Sequence, residues 1–151
     1  HCCRLQCSGG NLHDTVAMAV RAALLNTRLP VVELVADPAS GEVTDFEVSG
    51  DPNAVRGVGG LENFPLLVSV CEVASTCIVD ATEQEECCIG GRLVVAVDGN
   101  GTVCAIIQDK SGGIAPAALI DMLRIAQQTA AKLFARSTDA QTTGTGEVAS
   151  A

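Results

Sequence analysis

At 151 residues the chain has room for one domain and hardly for two, and 48% hydrophobic residues supply enough apolar side chain for a core, which excludes a largely disordered protein. A net charge of −9, with Phe46, Phe64 and Phe134 as the only aromatics, excludes a stand-alone nucleic-acid binder, because phosphates are held by Lys and Arg and bases by aromatic platforms. No apolar run reaches membrane-spanning length, so no membrane partner is expected.

The chain opens at His1 and passes directly into residues 2–7, a short strand by composition, with no initiator Met and no signal peptide. A front part of the fold is therefore expected to precede it. Ser8-Gly9-Gly10 breaks the strand, and Asn11 is placed to cap a helix, with Asp14 favourable near its positive end. Leu12, Val16, Ala19, Val20, Ala23 and Leu24 recur at helical spacing and predict one apolar face. Leu29-Pro30 marks the end of this helix.

Residues 31–36 and 42–48 are β-rich, joined by a turn-forming Asp37-Pro38-Ala39-Ser40-Gly41, and predict a hairpin. Residues 50–60 read as a connector; their glycines lack the Lys-Ser/Thr and following helix of a phosphate-binding loop. Residues 66–73 and 76–79 read as two strands around a tight turn, followed by the acidic stretch 80–86. Residues 93–97 and 102–107 form a second predicted hairpin, closed by Asp98-Gly99-Asn100-Gly101. After Ser111-Gly112-Gly113, Pro116 suits the first turn of a last helix whose buried stripe is Leu119, Leu123, Ala126, Ala130 and Leu133. Periodicity is lost from Ser137 onward, which reads as a tail. The order β-α, then strands, then α is an α+β layout.

The eight cysteines, at 2, 3, 7, 71, 77, 87, 88 and 104, contain no C-x-x-C pair. They read as reduced, small core hydrophobes, with Cys71 and Cys104 inside apolar strand runs. Only His1 and His13 supply nitrogen for zinc, so no metal and no cofactor is expected.

Two places are candidates for chemistry. The turn Ser8-Gly9-Gly10-Asn11 feeds a helix N-terminus whose free N–H groups suit an anion, although the commoner reason for such glycines is the turn itself. Asp80, Glu83, Glu85 and Glu86 form a carboxylate cluster suited to a divalent cation or to acid/base work, although a solvated loop has the same composition.

Gly9-Gly10-Asn11-Leu12-His13-Asp14, residues 22–30, residues 78–86 and Ser111-Gly112-Gly113-Ile114 resemble, in this order, the second half of the RNase PH-like family. The likeness is closest to the non-catalytic subunits of the exosome ring, and it runs from about residue 5 to residue 134. It implies that residues 1–136 are the C-terminal part of an RNase PH-like domain, a mixed or antiparallel sheet packed with two main helices, and that residues 137–151 are a flexible tail. Phosphorolytic members of the family carry Thr/Ser-Arg-Thr/Ser where this chain has Asn11, Leu12 and His13, so the phosphate site is degenerate. Their paired aspartates fall on Glu86 and Arg92, and Arg92 reverses a charge. Asp80 and Glu85 match positions shared by active and inactive members, which implies structural roles.

The resemblance therefore implies a subunit with no active site of its own, in a six-membered ring through which single-stranded RNA passes. The expected partners are other RNase PH-like ring subunits and S1- or KH-type cap subunits; the expected location is nucleus, nucleolus and cytoplasm. Arg28, Arg56 and Arg92 are the expected RNA or interface charges. An active phosphorolytic 3′-to-5′ exoribonuclease is the alternative, and a zinc- or redox-linked cysteine module is a third.

Overall fold

Side-chain alternation along two long strands decides the layering. The computed structural model describes residue 5 and residues 8–37, 41–74, 76–110 and 112–143. Four antiparallel strands form the main sheet in the order β6 (Thr76–Val79), β5 (Leu66–Val73), β7 (Gly91–Val97) and β8 (Val103–Gln108). Val68 and Val70 of β5 and Leu93, Val95 and Val97 of β7 share one face, since every second side chain points the same way. They pack on Met122, Ala126 and Ala130 of the long helix α3 (Pro116–Thr143). Each fully buried Val, Leu or Met contributes about 1.5–3 kcal/mol, so this layer is the domain's main source of stability.

The opposite face of the same strands carries Ser69, Cys71 and Arg92, with Cys71 and Arg92 directly paired across the β5–β7 ladder. Helix α1 (Leu12–Asn26) packs on this side against β5. One strand pair thus presents a wholly apolar face to α3, and to α1 a face on which Ser69 and Arg92 stand among Leu67, Val94 and Ala96. The remaining elements are β1 (Arg28–Pro30), β2 (Val32–Ala36), β3 (Val43–Val48), β4 (Val55–Gly57), a 3-10 turn at Leu61–Asn63 and the single-turn α2 (Glu83–Glu86). Both hairpins expected from composition form, as do the strands around residue 74 and the last helix.

Several expectations are corrected. The apolar stripe of α1 is not its buried side: Leu12, Ala19 and Ala23 are exposed, whereas Asp14 and Arg21 are buried. Arg21 Nη1 donates to the carbonyls of Leu61 and Phe64, each at 2.8 Å, and its guanidinium lies 4.8 Å from the Phe134 ring centroid, joining α1 to the 3-10 turn and α3. Residues 50–60 are not all connector, because Val55–Gly57 pairs antiparallel with Arg28–Pro30. Every strand pairing among the described residues is antiparallel, the second of the two sheet types expected. Helix α3 continues to Thr143, past the expected start of the tail at residue 137. Of the described cysteines, Cys71 is buried and Cys77 half-buried, but Cys87, Cys88 and Cys104 are exposed. For Cys104 the reason is that β8 is an edge strand with an open outer face. Of the strand expected over residues 2–7 only Leu5 is described, in no strand; the other residues of that segment and residues 144–151 lie outside the described residues. No described helix is long and apolar enough to cross a membrane.

Candidate functional site

The turn before α1, the segment after β6 and the Ser69–Arg92 face of the sheet meet at one place. Gly10 makes an isolated bridge to Thr82, and Glu83 N donates to Gly9 O at 2.9 Å, so the glycine turn is bound to the start of α2. Asn11 occupies the N-cap position in a left-handed conformation (φ 47°, ψ 48°), and its side chain makes no cap hydrogen bond. Asn11 Nδ2 instead donates to Asp14 Oδ2 at 3.0 Å and to Asp80 Oδ1 at 2.9 Å. Asp80 is left-handed too (φ 58°); Asn and Asp tolerate this region better than other non-glycine residues.

Asp14 ties the helix to the sheet. Its Oδ1 accepts from Ser69 Oγ at 2.7 Å and its Oδ2 from Ser69 N at 2.9 Å. With the bond from Asn11 Nδ2, three donors thus satisfy this buried carboxylate.

Glu86 is the hub. Its Oε1 accepts from Asn11 N at 2.9 Å and from Arg92 Nη2 at 2.8 Å. An internal carboxylate therefore takes the position at the start of α1 where the helix dipole favours an anion. Arg92 also holds Asp109 Oδ2 at 3.2 Å through Nη1, and Lys110 Nζ donates to the backbone oxygen of Glu86 at 3.1 Å. Arg92 is 8% exposed. Burial works to lower its pKa, but the hydrogen bond and Coulombic attraction of Glu86 help to raise it overall, so the guanidinium stays charged. Burial pushes the Cys71 thiol up, which leaves it un-ionised and unsuited to nucleophilic work.

A divalent cation does not fit this arrangement. The guanidinium already lies between the Glu86 and Asp109 carboxylates, and a second cation there would be repelled. No group of three or more His, Cys, Asp or Glu side chains suited to a metal occurs among the described residues. Glu86 Oε1 is also shared by two donors, which suits a structural anion better than a general base.

Thr82 and Glu85 form a capping box at α2: Thr82 Oγ1 accepts from Glu85 N at 3.3 Å, and Glu85 Oε2 accepts from Thr82 N at 2.8 Å. The bonds from the Thr82 backbone and hydroxyl hold the Glu85 carboxyl below the ordinary glutamate value. Because the folded pKa is depressed, the contribution is complete above the unfolded value and is lost as pH falls through the folded one. A carboxyl-detected NMR titration should give Glu85 a midpoint below the ordinary glutamate value, and Thr82→Val should return it toward that value; an unchanged midpoint in the variant would remove the Thr82 hydroxyl as a cause.

The residues expected from sequence divide into three groups. Asn11, Glu86 and Arg92, with Asp80, come together in the site. Leu12 and His13 are exposed and line an apolar groove of about 460 Å³ with Val16, Val20, Phe64 and Leu67. Arg28 and Arg56 are exposed on β1 and β4, away from it. Arg92 leaves the set of RNA or interface charges, since it is buried and both its Nη atoms are engaged. Asp109, Ser69 and Arg21 were not anticipated. For Asp14 and Arg21 a signal existed: they stand seven residues apart, two turns along one side of α1.

Residues 63–129 match the family described as "3′ exoribonuclease family, domain 2". A Dictyostelium discoideum protein named as an exosome complex exonuclease, RRP42, is 33% identical over 127 residues, covering 84% of this chain and 38% of that protein. The exosome complex component Rrp42 of Pyrococcus horikoshii is 33% identical over 103 residues, covering 68% of this chain and 34% of that protein. Among solved structures, an archaeal exosome core chain superposes with a TM-score of 0.61 at 22% identity, covering 87% of this chain and 46% of that one. The chain thus spans less than half the length of these relatives.

Proposed function

Because the chain belongs to the RNase PH-like 3′ exoribonuclease family, as its second domain, we propose that the protein is a non-catalytic structural subunit of an RNA exosome ring. It supports 3′-to-5′ RNA processing and degradation by completing the ring and its RNA channel. The observation that carries the non-catalytic reading is the ion pair of Arg92 with Glu86. These are the two positions where active family members carry paired acids, and here they neutralise each other. Leu12 and His13, at the positions of the family's phosphate-holding residues, face the groove and not the site. The turn's Asn11 N–H is bonded to Glu86.

The proposed partners are other RNase PH-like ring subunits, S1- or KH-type cap subunits, and single-stranded RNA within the assembled ring. The protein's own charge of −9 argues against RNA binding by this segment alone. Nucleus, nucleolus and cytoplasm are the proposed locations, which imaging of the tagged protein at its native level would test.

Two measurements address the role. The full-length protein with inorganic phosphate, Mg²⁺ and single-stranded RNA should release no nucleoside diphosphate; release abolished by Glu86→Ala would establish the active phosphorolytic alternative. Native mass spectrometry of the tagged protein should show a ring of six RNase PH-like subunits, and a lone monomer would refute the ring assignment.

A further inference from the structure

The segment from Arg28 to Gly57 leaves the domain as an arm. Strands β1 and β4 form its base and β2 and β3 its tip, with Val31 N bonded to Ala54 O and Ser49 N to Val31 O where the two meet. Alternation sorts the tip into two faces. The cross-strand pairs Val32/Val48 and Leu34/Phe46 make one face apolar; Glu33/Glu47 and Val35/Asp45 make the other acidic. Every residue of β2 and β3 is exposed, Leu34 to 68% and Phe46 to 62%. Among the described residues the tip strands pair only with each other, and the arm lies before residue 63, where the matched family domain starts.

A free two-stranded ribbon is marginally stable in water, and a contiguous exposed apolar face marks a surface that another surface covers. Charge says which kind. Glu33 and Glu47 stand directly opposite each other, an arrangement that destabilises a free ribbon and is relieved by cations. A second copy of this chain would bring three more carboxylates to the same place and pair two chains of net charge −9.

We infer that the β2–β3 tip docks into an apolar cleft, bordered by Lys and Arg, on a neighbouring protein subunit. Phe46 and Leu34 anchor the contact, and the acidic face meets the basic border. The identity of that neighbour, another RNase PH-like subunit, rests on the ring assignment; the cleft's chemistry rests on the arm alone.

The test uses the full-length protein co-expressed with the other RNase PH-like subunits of its ring. Phe46→Glu and Leu34→Glu should leave the free subunit's circular dichroism and Tm unchanged while its share in the assembled ring falls about tenfold or more. Glu33→Lys with Glu47→Lys should lower incorporation and weaken its salt dependence. A photo-crosslinking phenylalanine analogue at position 46 should join the subunit to a ring neighbour. Variants that fill the ring like wild type would overturn the arm's role while leaving the ring assignment intact. Crosslinks confined to the subunit's own chain, or a wild-type homodimer lost in the variants, would equally replace the neighbour with another occupant. A wild-type protein that enters no ring would remove both readings.

Discussion

Gly10→Ala is expected to cost the fold about 3 kcal/mol or more, while Gly9→Ala, one residue earlier, changes stability by about 0.5 kcal/mol at most. Gly10 has φ +112°, a conformation that side-chain-bearing residues rarely adopt. A Cβ there would collide with the carbonyl oxygen of Ala81, and would lie 2.6 Å from Glu83 N and 2.7 Å from Thr82 C. All three are backbone atoms. They have little freedom to retreat, because the Gly10–Thr82 bridge and the bond from Glu83 N to Gly9 O hold the two segments together. At Gly9 nothing lies within 4 Å of a Cβ. Urea denaturation of the two variants, compared at equal m-values, measures the difference. Equal midpoints would mean that the turn does not need its glycine for close approach. The same contact gives the glycine turn before the helix a structural reason: the backbone that approaches it belongs to the chain itself.

The second large effect is expected at Arg92. Arg92→Met keeps most of the side-chain volume but removes the charge, leaving Glu86 without its cation and Asp109 without its partner. Removing one member of a buried pair costs about 3–5 kcal/mol, and the 25% exposure of Glu86 and 40% of Asp109 reduces this to about 2–4 kcal/mol. Glu86→Gln in the same chain should restore part of the loss, with a coupling of about 1–3 kcal/mol, since the neutral amide no longer requires a counter-charge. Arg92→Lys should rescue poorly, because one ammonium cannot serve two carboxylates with the forked geometry of a guanidinium. Additive losses in the double variant would show that Arg92 and Glu86 act separately, and would weaken the view that the two former acid positions have become a structural ion pair.

Much of the sheet was legible in the amino-acid order. Residues 66–73 and 93–97 alternate or run apolar for the length of a strand, Asn100-Gly101 closes its hairpin, and the Ala126 and Ala130 stripe of α3 is buried where helical spacing puts it. These signals are local, carried by periods of two and 3.6 residues. Helix α1 shows where they mislead. Its apolar stripe is real as a pattern, but Asp14 and Arg21 face the protein because Ser69, Leu61 and Phe64 offer them hydrogen-bond partners. Burying a paired polar group is affordable when its partners are fixed; nothing in the helix's own spacing says that they are.

The candidate site divides along the same line. Taken alone, the order of residues, through its resemblance to the family, singled out Asn11, Leu12, His13, Glu86 and Arg92. The same resemblance implied a reversed charge at Arg92. The tertiary structure decided what that reversal does. It brings Glu86 to Asn11, 75 residues apart in the chain, and sets Arg92 beside both Glu86 and Asp109. A reversed charge read in sequence is only the loss of an acid. In the fold it becomes the counter-ion of the acid that remains, because hydrogen bonds and ion pairs act over about 3 Å of space and take no account of distance along the chain.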